Sequence, residues 1–516
     1  MISPLRLSSQ PDYPGWMYVL VLLAVLLSAA LSALAGTPTF PFDDAYITLH
    51  NAQAMWQGAD INYPGTAPLH GATSAIHLAL VAALLGALQG AGLDGLSPLW
   101  ALHAAMWLGI AAYVLGVLRL ASIHQASALQ AFLLVACGLV AGQMPHQLLN
   151  GLETGWALAA LVWALVLLSE PERRRTGWLA LLCGQLPFLR PELAVVSVGV
   201  LVLLAWRTID EHGSTALARR LILRMLLIAG AGAVPWLLWY GLSTGVPYPS
   251  TIAAKRAFFA ESQLPAVIRQ TWVLNSLSMF VSSLGLFSLT ALLLVRTRAG
   301  WLGLVFIGIF VGAYVTQFPG ALAHYEQRYL YVLVPFLLYA AASCWARHPP
   351  LVRAGVTVLL ALSLAQSLWQ LPARLDFHRS ESARSVRELD ALADWCRRNL
   401  PPHSVLLIHD AGYLAYATSF KLLDLVGLKT PASTAVHRTV TWPSGGDRRG
   451  EAIHRIAEAG RPDYLVVLAG WDRIFSITPD LQQHGWRVEL QWRGDDPDSG
   501  YRVYKLTAPH ALTPAA

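Results

Sequence analysis

The chain of 516 residues is 55% hydrophobic and only 13% charged, with 19 Trp. A soluble globular protein carries about a quarter charged residues, so composition excludes one and makes lipid the solvent for most of this chain. The formal charge of +6 comes mainly from Arg in short connectors and in the polar C-terminal part, with no basic stripe; that does not point to a nucleic-acid partner and fits positive-inside topology instead.

Runs of about 20 apolar residues, with allowance for short buried helices, mark membrane spans. They fall at 16–35, 98–118, 126–141, 155–168, 177–189, 193–206, 221–241, 272–295, 301–316, 329–346 and 351–371, which makes about eleven. The first follows Arg6 and lacks a small-residue cleavage site, so it is expected to stay as a span. It leads into FPFDDAYITLHNAQAMWQGAD, residues 40–60, where Asp43 and Asp44 stand side by side as the chain leaves the bilayer. Lipid-facing charge is costly, so the pair belongs either at the water interface or in a protected cavity.

Arg119, Arg173 to Arg175, Arg219 with Arg220, Arg296 with Arg298, and Arg347 with Arg353 occupy alternate connectors, which are therefore cytoplasmic. The loops around Asp43, Asn150, Tyr248 and His324 then face outside. Parity requires a single crossing between Asp44 and Arg119, although 75–88 is apolar as well as 98–118. The shorter segment, flanked by His70 and His77, is assigned to a helix at the outer interface or re-entering it.

Beyond residue 371 the character changes. SESARSVRELDALADWCRRNL has a charged helical pattern, SVLLIHDAGYLAYATSFKLLDLVGL reads as strand, turn, helix and strand, and PDYLVVLAG, WRVELQWR and YRVYKL read as further strands. An odd number of spans from a cytoplasmic N-terminus places this part outside. It contains neither G-x-G-x-x-G nor a P-loop. Cys137, Cys183 and Cys344 lie in apolar runs and Cys396 in the polar tail, so no disulfide framework is implied. The expected fold class is an α-helical polytopic membrane protein: a transmembrane domain at 1–371, with its first external loop at 37–97, and an extracytoplasmic α/β domain at 372–516.

Polar residues concentrate on the outer face: Asp43, Asp44, His70, His146, Glu153, Arg190, Glu192, Lys255, Arg256, His324, Glu326 and Arg328. Carboxylates and cations gathered at a bilayer surface suit an anionic, membrane-borne substrate. A carboxylate supplies a general base, and Lys255, Arg256 and Arg328 supply cations for a phosphate leaving group. Each residue also has a plainer account. Asp43 is placed to N-cap the helix AYITLHNAQAMW. Lys255 and Arg256 are placed to snorkel toward headgroups, and Arg328 to anchor the end of a span. Arg190 and Glu192 are placed to pair across Pro191, and Glu153 to favour a helix N-terminus. His146 and His324 have no metal-ligand spacing.

FDDAYITLHNA resembles the aspartate-containing first external loop of the GT-C glycosyltransferases, integral membrane enzymes that use polyprenyl-phosphate sugars. The likeness is to the bacterial branch that includes the mycobacterial terminal arabinofuranosyltransferases. NGLETGWALAALVWAL, FLRPELAVV, VPYPSTIAAKR, EQRYLYVLVPFLL and WCRRNLPPHSVLLIHDAGYLAYATSFKLLDLVGL follow in the same order and span nearly the whole chain. Two departures stand out. Ser250 occupies a position where the branch often has Asn, and LHGATSAIH stands where it often has an acidic and aromatic stretch.

The resemblance implies a membrane glycosyltransferase that moves a sugar from a polyprenyl-phosphate donor to a hydroxyl of a glycan, lipid or protein acceptor. The reaction would be an inverting displacement at the outer face of a bacterial inner membrane, among membrane lipids. Asp43 matches the family's base position, with Asp44 orienting it or binding acceptor or metal; the order of the two is open. His70, His146, Glu153, Arg190, Glu192 and His324 are the expected substrate contacts. No cofactor is required by this chemistry, and a divalent cation is left open. The alternative class is a polytopic lipid or sugar transporter or flippase, whose internal repeats and paired interrupted helices are not evident here.

Overall fold

The computed structural model describes residues 39–509, except 94, 171, 172, 497 and 499, together with 15, 18, 19 and 22. The first apolar run, at 16–35, lies almost wholly outside the described residues. Among the described residues seven helices are long and apolar enough to cross a membrane: Leu99–Ile123, Pro191–His212, Ala216–Thr244, Ala266–Arg296, Gly300–Gln317, Pro319–Ala346 and Pro350–Asn399. Ala75–Gly90, Ala128–Val140 and Thr154–Ser169 are apolar but shorter. The runs at 126–141 and 155–168 thus form helices below ordinary spanning length, and 177–189 is all but the first turn of Arg173–Leu189.

Without a hydrophobic driving force between helices in lipid, small residues and polar stitches decide which helices approach. Leu99–Ile123 lies along Thr154–Ser169, and the indole nitrogens of Trp156 and Trp163 donate to the carbonyls of Ala105 and Ala112 at 2.8 and 3.0 Å. Arg173–Leu189 crosses Ala216–Thr244 at Gly184 and Gly232. A Cβ on Gly184 would lie 2.0 Å from the Ala229 carbonyl oxygen, and one on Gly232 would lie 2.6 Å from that of Leu181. Neither position accepts a side chain without separating the helices.

Four helices carry or brace the polar residues singled out in the sequence: α1 (Asp43–Gln57), α2 (Ala75–Gly90), α3 (Ser250–Phe259) and α4 (Pro350–Asn399). Ser74 starts α2, its hydroxyl accepting from His77 N. The VPYPSTIAAKR segment, expected as a loop, winds into α3 directly after Pro249. Proline's fixed φ and missing N–H suit the entry to a helix. The boundary expected at residue 371 also differs, because α4 continues unbroken through it for 50 residues, about 75 Å at 1.5 Å per residue. What changes near 371 is the composition, apolar before it and charged after it; the helix itself continues.

The C-terminal strands appear at the expected places: β1 (Val405–Ile408), β2 (Lys421–Asp424), β3 (Tyr464–Leu468), β4 (Arg487–Arg493) and β5 (Tyr501–Thr507). Their order is β2-β1-β3-β5-β4. The first three are parallel, and β5 and β4 are antiparallel. The open edge of β2 is covered by the segment between α1 and α2, where Leu422 N donates to Asn62 O at 2.9 Å. Asn62 Nδ2 donates in turn to the carbonyls of Thr418 and Phe420. An exposed edge strand is thereby closed, and the membrane and α/β parts are sewn together close to α1.

Candidate active site

The start of α1 is fixed by aromatic contacts. Phe40 stacks on His103 with ring centroids 4.4 Å apart, and Phe42 stacks on Tyr325 at 3.8 Å. Successive residues of a helix point about 100° apart, so Asp43 and Asp44 cannot face the same way.

Asp44 faces a cavity of about 430 Å³, its open mouth included, at the junction of α1, α2 and α3. Thr48, Thr73, Ser74 and Thr251 bring hydroxyls to its wall, Glu153 a second carboxylate, and Lys255 and Arg328 two cations. Arg328 Nη1 lies 3.0 Å from Asp44 Oδ2, with a quarter of the Asp44 side chain left open. Burial acts to raise the Asp44 carboxyl. The Lys255 and Arg328 cations more than reverse this and hold it below its ordinary value.

Arg328 is buried at 5% exposure and lies over the rings of Tyr325 and Tyr329, at 4.9 and 4.8 Å. One nitrogen, Nη2, donates to Tyr329 OH. Its Nη1 is engaged by Asp44, and its buried Nε has no hydrogen-bond acceptor among the described residues. A buried guanidinium that keeps an unpaired donor is uncommon in a folded protein. The backbone that delivers it is unusual: Tyr325, Glu326 and Gln327 have φ of 49°, 55° and 58°. The left-handed region costs an L-residue about 1–2 kcal/mol. Gln147 Nε2 holds the turn by donating to the carbonyls of Tyr325 and Glu326 at 2.8 and 3.3 Å.

Asp43 points away from this cavity. Its Oδ2 accepts from Gly412 N at 2.7 Å and its Oδ1 from Tyr413 N at 2.6 Å. The N-cap role expected within its own helix is not made: Phe42 is the N-cap residue of α1 and no side chain caps it. Asp43 instead caps the short helix Tyr413–Ala417 of the C-terminal domain. Gly412 permits the approach, since a Cβ there would lie 2.2 Å from the Asp43 carbonyl oxygen. Burial and the neighbouring Asp410 push the Asp43 carboxyl well up, against the pull of the two backbone N–H groups. The HDAG turn, His409 to Gly412, thus docks on α1 through Asp43, while Asp410 accepts from Tyr501 OH within the C-terminal domain.

The other expected residues divide. Glu153 lines the cavity and stands 3.9 Å from Arg190 Nη1. Arg190 pairs with Glu192, its Nε at 2.7 Å, and neither lines the cavity, so the local pair across Pro191 describes them. Arg256 lies over the Trp442 ring at 5.0 Å and does not line the cavity either, being one step round α3 from Lys255. His146 meets His378, Nδ1 to Nδ1 at 3.0 Å, behind Phe42. His70 is 3.4 Å from Ser250 Oγ, beside the cavity rather than on its wall. His324 is exposed and acts on Asp44 only electrostatically. Thr251, Ser74 and Gln147 are not singled out by sequence, because hydroxyls and amides give no pattern in a polar loop. Lys429 is missed as well, although a lone Lys after LLDLVGL is a signal. It is buried, with Nζ 2.6 Å from Asn51 Oδ1 and 3.0 Å from Asp60 Oδ2. Among the described residues no group of three or more His, Cys, Asp or Glu is arranged to hold a metal ion.

A family described as "Domain of unknown function (DUF8728)" matches residues 376–505. No curated protein matches the chain. Among solved structures, ArnT from Cupriavidus metallidurans bound to undecaprenyl phosphate is similar at 13% identity and a TM-score of 0.54, over 97% of this chain and 99% of that one. The apo state of ArnT gives 14% identity and a TM-score of 0.55 over the same shares. The arabinofuranosyltransferase AftD from mycobacteria gives 13% identity and 0.48, over 96% of this chain and 40% of that one. The likeness to ArnT is one of fold and runs the length of both chains, in keeping with the GT-C resemblance of the sequence. With its apolar helices, the chain is a multi-pass membrane protein.

Proposed function

We propose that this chain is a GT-C glycosyltransferase that moves a sugar from a polyprenyl-phosphate donor to an acceptor hydroxyl, on the outer face of the inner membrane. The observation that carries the proposal is the cavity in which Asp44 faces Lys255 and Arg328, within a fold shared with a protein bound to undecaprenyl phosphate. Lys255 and Arg328 take the donor phosphate. That draws Arg328 from Asp44 and leaves the carboxylate to meet the acceptor.

Asp44 takes the role first expected of Asp43, whose two oxygens are already committed to backbone N–H groups. The acceptor oxygen loses its proton to Asp44 and attacks the anomeric carbon. A new C–O bond forms as the bond from that carbon to the phosphate oxygen breaks, and the bonding pair leaves on polyprenyl phosphate. The configuration inverts, because one displacement occurs. Positioned donors at a developing oxyanion contribute about 10²–10³ in rate each. Glu153 and the hydroxyls of Thr48, Thr73, Ser74 and Thr251 surround the sugar. The C-terminal domain lies extracytoplasmic, above the cavity, and the acceptor is a glycan, lipid or protein.

The purified protein should turn over one member of a panel of synthetic polyprenyl-phosphate sugars with a hydroxyl acceptor. Lys255→Ala should lower that turnover about 10²-fold. Absence of turnover across the panel, together with full donor binding by Lys255→Ala, would remove the support for this reading.

A further inference from the structure

The cavity's opposed charges sit on segments far apart in sequence, α1 with Asp44 and α3 with Lys255. Each is gripped by a different part of the C-terminal domain. The last carbonyls of a helix have no partner within it, and α3 ends at Phe259, with Ala260 in the left-handed conformation at φ 53°. The carbonyl of Phe258 accepts from Arg449 Nε at 3.0 Å and that of Phe259 from Nη2 at 3.1 Å. A cation at a helix C-terminus is also favoured by the helix dipole.

The same contact is keyed by rings. Phe258 is 0% exposed and is enclosed by Trp471 at 5.7 Å and by Phe475 and His437 at 5.1 Å each. The Arg449 guanidinium lies over the rings of Phe258 and Phe475, at 5.4 and 5.0 Å. Thr251, Lys255 and Phe258 follow one another at helical spacing and form one stripe. The rotation of α3 that the Phe258 pocket and Arg449 fix is therefore the rotation that aims Lys255 into the cavity. On the other side, α1 is held through Asp43 on Gly412 and Tyr413 and through Lys429 on Asn51, with Asp60 just past its end also on Lys429.

We infer that Arg449 is a positioning residue for Lys255, and that the C-terminal domain is a bracket setting the span between the base-bearing and phosphate-binding segments of the cavity. The inference rests on Lys255 being the donor-phosphate contact, and it gives the domain of unknown function at 376–505 a physical task. Arg449 acts through the helix it caps. It touches no substrate.

The test uses the full-length protein with undecaprenyl phosphate as probe, binding being read without turnover and thermal unfolding measured alongside. Arg449→Met keeps the side-chain stem and removes both donors and the charge; affinity should fall about tenfold, within the range seen for coupled sites. Lys255→Ala should weaken binding at least as much, and the double variant should bind no more weakly than Lys255→Ala alone. Arg449→Lys retains the cation and packing, folds if Arg449→Met does not, and should fall between Arg449→Met and the unaltered protein. Arg448→Ala, altering an exposed neighbour that pairs with Glu451, should change nothing. A lower melting temperature with unchanged affinity in both Arg449 variants would overturn the inference. Losses that multiply in the double variant would do the same. Normal binding by Lys255→Ala would instead strike the premise, and the two failures are told apart by that one variant.

Discussion

Replacing Asp43 by Asn separates docking from catalysis, because the two roles predict opposite results. Both carboxylate oxygens accept backbone N–H groups, at 2.6 and 2.7 Å. An amide keeps one acceptor and turns a donor toward the other N–H, so one bond is lost and one N–H is left facing an N–H. Bonds to a charged acceptor contribute about 1.5–3 kcal/mol, and an unsatisfied partly buried group costs about 1–3 kcal/mol. Burial and Asp410 already raise the Asp43 carboxyl, which narrows the advantage of carboxylate over amide. The expected loss of stability is therefore about 1–3 kcal/mol. Thermal unfolding in detergent should register it, as should faster proteolysis in the HDAG turn. Turnover should fall far less than the 10²–10⁴ that removal of a general base typically costs. An Asp43→Asn protein as stable as the unaltered one, with turnover lost on that scale, would refute the assignment and return the base to Asp43.

Three further outcomes rest on the geometry. Gln147→Leu removes the donor that holds the left-handed turn at Tyr325 to Gln327; Arg328 should be delivered less well, and affinity for undecaprenyl phosphate should drop several-fold, about 1 kcal/mol for a lost hydrogen bond, with unchanged binding counting against the turn's role. Asp44 is held below the ordinary carboxylate value of 3.8 with Lys255 a principal cause. The base works when ionised, so the acid limb of kcat/KM for the donor, which reports the free enzyme, should lie below that value and move upward in Lys255→Ala. By the same sign, the stability Asp44 contributes is present above its unfolded value and is lost as pH falls through its folded one. A limb that stays in place would remove Lys255 as the cause. For topology, alkaline phosphatase fused at the C-terminus should be active and a green fluorescent protein fusion dark, the reverse pattern placing the cavity on the wrong face.

Much of this arrangement is legible in the sequence, for reasons that also mark where legibility ends. Charge where a chain leaves the bilayer is expensive, so Asp43 and Asp44 stand out, as do Lys255 and Arg328. Which carboxylate enters the cavity is not readable from type. Helical geometry alone does say that adjacent residues diverge by about 100°, and the same rule separates Lys255 from Arg256. The five strands are visible through their apolar alternation and bounding turns. The composition change at 371 does not mark the end of a helix, because α4 runs through it without a break. Arg449 and Lys429 are lost among surface-type charges, because their partners are backbone carbonyls and side chains hundreds of residues away.

Transfer by this mechanism turns on Asp44 as the base that accepts the acceptor's proton. The most direct measurement is single-turnover transfer from a saturating polyprenyl-phosphate sugar by Asp44→Asn, with donor binding measured on the same sample. Asn preserves the side chain's size, and its loss of charge frees Arg328, so donor affinity should be kept or improved while transfer falls about 10²–10⁴-fold. Transfer by Asp44→Asn within a few-fold of the unaltered protein, at full donor occupancy, would contradict it.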